Sequence, residues 1–204
     1  MKRVGKKYEI ISLYNDRVKA ISSLSQRKRR KDSNLFIAEG IRICKEALNN
    51  GWSFKYFLFN KSNLDNSQIN NLTQEILLKG GDVIGVTSDI LKKISHKDNP
   101  QNVLGVIEQR QSMLPINLNR DFFVALECVR DPGNLGTVLR TMDAVGAKGC
   151  ILIDECTDPF SYECVRASMG AIFNINIIKT KAEDFITWKI ENKVNLIGAA
   201  LKNA

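Results

Sequence analysis

The sequence predicts an α/β protein in two units. A small α/β unit covers residues 1–110, a parallel-sheet unit covers 121–204, and residues 111–120 link them. Three observations carry this. Apolar runs of strand length alternate with segments of helical period along almost the whole chain. The stretch "RQSMLPINLNRD" (110–121) interrupts that alternation with a proline, mixed polarity and no helical period. Directly after it, "FFVALECV" (122–129) is a near-continuous apolar run, as expected of a strand buried on both faces.

The elements of the first unit follow in order. "NDRVKAISSLSQ" (15–26) fits a helix opened by Asn15 or Asp16, and the basic run "RKRRK" (27–31) follows it. "LFIAEG" reads as strand and turn, "IRICKEALNNG" as a helix over 41–50 stopped at Gly51, and "SFKYFLF" as a strand. A polar helix is expected over roughly 66–79, ending at Gly80 and Gly81. "DVIGVT" is a strand, "SDILKKIS" a short helix capped by Ser88, and "NVLGVIEQ" a strand.

The second unit alternates more cleanly. After "FFVALECV" come helix "NLGTVLRTMDAVGA" with Asn134 as its cap, strand "CILID", and a helix beginning in "SYECVRASMGAIF". Strand "INIIKT", helix "AEDFITWKIENK" and strand "VNLIGAAL" complete it. The order β-α-β-α-β-α-β predicts a four-stranded parallel sheet with right-handed crossovers.

Composition narrows the class. Apolar residues make up 44% and charged residues 25%, ordinary values for a soluble globular protein. No apolar run is long enough to span a bilayer, and the basic start "MKRVGKKYEI" lacks the apolar region of a secretory signal. The five cysteines show no C-x-x-C spacing and His96 is the only histidine, which argues against zinc. Cys128 and Cys150 lie in apolar runs, where a free thiol acts as a small hydrophobe. Together these features place the chain in the reducing cytoplasm. Charge is asymmetric: residues 1–118 hold 20 Lys and Arg against 11 Asp and Glu, while 119–204 hold 10 against 11. A basic first half suits a polyanion, and Arg27, Lys28, Arg29, Arg30 and Lys31 are its densest cluster; the plain alternative is a solvated charged face.

The chemistry concentrates in "DPGNLGTVLR" (131–140). It stands at the carboxyl end of a predicted strand, where open α/β sheets bind ligands. Gly133 and Gly136 leave the backbone approachable, a helix N-terminus attracts phosphate, and Arg140 adds a charged contact. An ordinary strand-to-helix turn with an exposed arginine explains the same residues. The stretch matches neither G-x-G-x-x-G nor a Walker loop. Asp131, Asp154 and Asp158 are candidates for a magnesium cluster, although their spacing does not demand one.

"DPGNLGTVLRTMDAVGAKGCILID" resembles the first signature of the SpoU/TrmH family of RNA 2′-O-ribose methyltransferases, with Asn134 and Arg140 on its asparagine and arginine. "DPFSYECVRASMGAIFNINI" is similar to a further family segment, with Arg166, Ser168, Gly170 and Ala171 in place. "RKRRKDSNLFIAEGIRICKEAL" and "NPQNVLGVIEQ" resemble the family's L30e-like substrate-binding domain. The resemblance implies an L30e-like first domain and a Rossmann-like SPOUT second domain. It also implies S-adenosylmethionine as methyl donor, ribosomal or transfer RNA as substrate, and catalytic roles for Arg140 and Asn134. Family members carry a G-x-E-x-x-G loop and a segment like "SLNVSVA" downstream, which form a knot, most of the cofactor pocket and much of a homodimer interface. Neither occurs here, so the resemblance implies a C-terminally incomplete methyltransferase domain. Ala199, Ala200 and Leu201 would then supply only the first wall of the cofactor pocket, and much of the dimer interface would be missing. Two functions stay open: RNA ribose methylation, and RNA binding without catalysis.

Overall fold

A computed structural model describes residues 3–63, 65–116, 118 and 121–199. The first half builds a five-stranded mixed sheet from β1 (Lys7–Ile10), β2 (Leu35–Glu39), β3 (Phe54–Asn60), β4 (Asp82–Val86) and β5 (Val103–Glu108). Their order is β1-β4-β3-β5-β2. β4 lies parallel to β1 and β3, whereas β5 lies antiparallel to β3 and β2. Sequence reading missed β1: it has four residues at a sheet edge, and Ile10 is its only buried one. The helices are α1 (Asp16–Ser22), α2 (Arg27–Ser33), α3 (Ile41–Asn49), α4 (Ser67–Leu78) and α5 (Ser88–Ser95). Asn15 opens α1, its side chain accepting the Arg17 N–H at 2.9 Å. Ser88 is not the cap of α5: Thr87 holds that position and makes no side-chain capping bond.

In the second half β6 (Phe123–Glu127), β7 (Gly149–Ile153) and β8 (Asn176–Thr180) form a parallel sheet in that order. The crossovers carry α6 (Pro132–Ala144) and α7 (Tyr162–Ala167), and α8 (Ala182–Glu191) follows β8. Two expectations need correction. β6 is not buried on both faces; it is an edge strand with half-buried residues, and the central β7 is the fully buried strand. No strand forms over 194–199, where Leu196 and Ile197 are 52% and 89% exposed and so do not join the sheet's packing. Leu201, the last residue of that predicted strand, lies outside the described residues.

The two halves share one hydrophobic core. Phe36 and Trp52 of the first half pack with Phe160 and Phe173 of the second, with ring centroids 4.9 Å apart for Phe36–Phe160 and 5.2 Å for Trp52–Phe173. The Trp52 indole N–H donates to the Phe173 carbonyl at 3.0 Å. Aromatic rings of this size each remove roughly 150–250 Å² from water, so the joint is apolar rather than a wet hinge. The segment expected to link the two units is tied to the second half. The Ser112 N–H donates to the Ile177 carbonyl at 2.9 Å, and the Trp188 indole donates to the Pro115 carbonyl at 2.8 Å.

Candidate functional site

The start of α6 differs in detail from the sequence expectation. Asp131 is the N-cap, its carboxylate accepting the Asn134 N–H at 2.6 Å. Pro132 takes the first helical position, where its missing N–H costs nothing. Asn134 therefore lies inside the first turn, with an exposed side chain that makes no hydrogen bond among the described residues.

The two glycines also part company. Gly136 is buried, and a Cβ there would stand 2.6 Å from the Ala167 Cβ and 2.7 Å from the Cys164 carbonyl oxygen. It makes room for α7, not for a ligand. Gly136→Ala gains about 1 kcal/mol in helix propensity but drives a methyl into backbone atoms that cannot swing away. We expect a net loss of about 1–2 kcal/mol in urea unfolding. A variant as stable as wild type would show that the α6–α7 crossing can widen freely.

Leu135, Gly136, Leu139 and Met142 form the buried face of α6, while Arg140 is exposed and has no ion pair among the described residues. Arg140 lines a cleft of about 630 Å³ between the halves. Leu24, Ile94, His96 and Lys97 contribute from the first half, and Thr137, Tyr162 and Arg166 from the second. Asn134 is not among the lining residues; six residues of helix, about 9 Å of rise, separate it from Arg140. Sequence reading named Arg166 only as a match to a family segment and did not single out Lys97 or Tyr162, because tertiary packing alone brings the three together.

The basic run occupies most of α2. Arg27, Lys28, Arg29 and Lys31 are exposed. Arg30 is not, and its place in an RNA-facing set is corrected here: it is 5% exposed, with Nε and Nη2 each 2.8 Å from Asp158 Oδ2. Its Nη1 donates to the Leu24 and Ser25 carbonyls, both at 2.8 Å. One signal for this was present: five consecutive residues exceed one turn of about 3.6, so a helix packed on a body must turn one inward. Lys179 Nζ stands 3.9 Å from the other Asp158 oxygen, which also accepts the Phe160 N–H. Burial lowers the Lys179 pKa, Asp158 opposes that, and Arg27, Arg30 and Lys31 add to the lowering. Arg27 also borders a second cleft of about 420 Å³, with Arg130, Asp154 and Glu155.

The three aspartates do not gather. Asp131 caps α6, Asp154 accepts the Ala182 N–H at 3.0 Å, and Asp158 serves Arg30. Among the described residues, no cluster of three or more acidic, histidine or cysteine side chains could hold a metal ion. Cys128 is not packed as a hydrophobe; it is exposed just past β6 with φ +51°. Cys150, like Cys44 and Cys164, is buried, and burial pushes each of these three thiols to about 12. Ala199 is exposed in irregular chain, and Ala200 and Leu201 lie outside the described residues.

Comparison with known proteins assigns the two halves separately. A family model described as the MRM3-like substrate binding domain matches residues 15–105, and that of the SpoU rRNA Methylase family matches 121–204. A 23S rRNA (guanosine(2553)-2′-O)-methyltransferase, RlmP, of Bacillus subtilis is 26% identical over 195 residues, covering 96% of this chain and 74% of the relative. An uncharacterized tRNA/rRNA methyltransferase of Synechocystis is 30% identical over 162 residues, covering 79% of this chain but 58% of its own length. A solved rRNA methyltransferase from Sinorhizobium meliloti superposes with a TM-score of 0.84 at 42% identity, covering 91% of this chain and 70% of its own. An AdoMet-bound form of that enzyme superposes with the same TM-score at 41% identity. With a family model matched to each half and this identity to a solved relative across both, the chain belongs to the SpoU rRNA methylase family.

Proposed function

We propose that the protein takes part in S-adenosylmethionine-dependent 2′-O-methylation of a ribose in ribosomal RNA. The observation that carries this is Arg140: an exposed guanidinium without an ion pair among the described residues, held on α6 in a cleft that both halves line. In the chain's relatives the same two halves accompany rRNA methyltransferase names, one of them bound to AdoMet.

Arg140 cannot serve as the base, because a guanidinium stays protonated at any working pH. What it can do is hold a phosphate beside the target ribose through its planar fork. It can also direct an N–H at the 2′-oxygen as negative charge grows there. Asn134, facing solvent from the first turn about 9 Å of rise away, would hold the RNA strand outside the cleft. When bound, S-adenosylmethionine would supply the methyl group, the S–CH3 pair leaving with the thioether sulfur as the O–CH3 bond forms and the 2′-hydroxyl proton passing to solvent. Of the three residues expected to wall its pocket only Ala199 is described, and it is exposed in irregular chain and lines neither cleft. The S-adenosylmethionine roles of Ala199, Ala200 and Leu201 and the cytoplasmic setting belong to the same reading. So does a homodimer, which light scattering would show as a doubled mass. No helix among the described residues is long and apolar enough to cross a membrane.

The test is tritium transfer from labelled S-adenosylmethionine to ribosomal RNA, with alkali-resistant linkages marking 2′-O-methyl sites. It is run on the chain alone and on the chain extended with the C-terminal segment of the S. meliloti relative. RNA binding without transfer by either protein would favour the non-catalytic reading. A second expectation concerns α2. Replacing Arg27, Lys28, Arg29 and Lys31 with alanine, and sparing Arg30, should flatten the log–log salt dependence of rRNA-fragment binding by roughly 3–4, at about 0.7–0.9 per phosphate contact. An unchanged slope would make the exposed face of α2 a solvated surface only.

A further inference from the structure

We propose that the cleft between the halves seats a single RNA strand, with Arg166 holding the phosphate next to the one held by Arg140. The inference rests on the methyl-transfer reading and adds to it a second anchoring residue and the form of the RNA.

The charge balance of the cleft points there first. Four fixed cations line it, Arg30, Lys97, Arg140 and Arg166, against one acid, Glu163. Two of the cations are already neutralised: Arg30 by Asp158, and Lys97 by Glu39 at 2.7 Å. Arg140 and Arg166 are exposed and have neither an ion pair nor a side-chain hydrogen bond among the described residues. Two guanidiniums against the single carboxylate of Glu163 leave the cleft net positive, which concentrates anions, and phosphodiester is the polyanion this family handles.

The second argument is rigidity. Arg140 lies one helical turn beyond Gly136, and Arg166 directly precedes Ala167, the residue that meets Gly136 too closely to admit a Cβ. The two arginines are thus mounted on either side of a helix crossing that fixes the spacing of their backbones. Such a pair reads successive phosphates of one strand better than it reads a mobile anion.

The third argument is shape. The first half reaches across to the second where Lys97 Nζ sits 4.8 Å from the centre of the Tyr162 ring. His96, in the left-handed conformation at φ +54°, ends α5 and turns the chain toward this contact. Walls that touch in this way leave about 630 Å³, within the usual span of roughly 300–1,000 Å³ for ligand pockets. That admits a splayed nucleotide with its flanking phosphates and refuses a duplex.

The experiment is fluorescence anisotropy with the full chain and no methyl donor. The probe is an unstructured, fluorescein-labelled oligoribonucleotide of about 12 nucleotides, within the ~4–16 that single-strand sites span. It is measured alone and annealed to its complement. We expect the single strand to bind more tightly than the duplex. Arg166→Ala should weaken it several-fold and lower the log–log salt slope by about 0.7, the value for one contact to a single strand. Arg166→Lys should restore the slope but not the full affinity, because it keeps the charge and loses the fork. Lys55→Ala, an exposed charge on β3 away from the cleft, should change neither quantity. If Arg166→Ala matches wild type while Arg140→Ala does not, or if the duplex binds as well as the single strand, the proposal is overturned and the methyl-transfer reading stands. Failure of that reading shows separately, as absence of tritium transfer from a protein that still binds the strand.

Discussion

Arg140→Ala should lower single-turnover methylation by about 10²–10³, the usual cost of removing one donor aimed at developing negative charge. The same change should move stability by no more than about 0.5 kcal/mol, because the side chain is exposed, unpaired among the described residues and off the buried face of α6. Transfer to a 2′-oxygen needs three partners in line, and orientation of this kind can account for much of an enzyme's rate. An arginine carried on a helix that is itself locked against α7 would supply part of such orientation. Arg140→Lys should not restore the rate, since an ammonium is a point charge without the planar fork. S-adenosylmethionine affinity should change little in either variant. The measurements are rate under single turnover and thermal unfolding, made side by side in the extended chain. A near-normal rate for Arg140→Ala would remove it from the catalytic list. A large loss of stability would return it to a structural role.

How much of this could be read in the sequence depended on the range of the interaction. Helices and strands with clear period, such as α3, α6 and β7, were legible because their signals are local. The family signature singled out Asn134 and Arg140 without any knowledge of packing; the cleft is lined by Arg140 and not by Asn134. What was not legible lay in contacts between the halves. Gly136 reads as ligand clearance until Ala167, thirty-one positions later in the chain, is seen against it. Arg30 reads as one more surface cation until Asp158 is found beside it, 128 residues away. The run "VNLIGAAL" has a strand's composition, yet over 194–199 its exposed side chains leave it without a place in the sheet. Burial of β6 was misjudged for a related reason: apolar composition does not say which strand is central and which is at an edge.

Asp158→Ala should cost about 3–5 kcal/mol, a large share of the roughly 5–15 kcal/mol that holds a domain folded. Asp158 and Arg30 have side chains only 9% and 6% exposed. Removing the carboxylate leaves Arg30 buried with its two carbonyl partners but no counter-charge, and brings it into unscreened repulsion with Lys179. It also frees the Phe160 N–H that Asp158 now accepts, at the base of the aromatic cluster joining the halves. Because that cluster is continuous, the wild-type protein should unfold in one urea transition seen equally by the fluorescence of Trp52 and Trp188 and by far-ultraviolet circular dichroism. The variant should unfold at lower urea, or in two steps if the halves come apart first. Arg30→Met paired with Asp158→Leu should recover much of the loss, since apolar replacement of a buried ion pair is often close to neutral. Asp158→Asn should fall between, keeping an acceptor for Phe160 but no charge. An Asp158→Ala variant within about 1 kcal/mol of wild type would show that water reaches the pair and screens it. Arg30 could then return to the set of cations available to RNA.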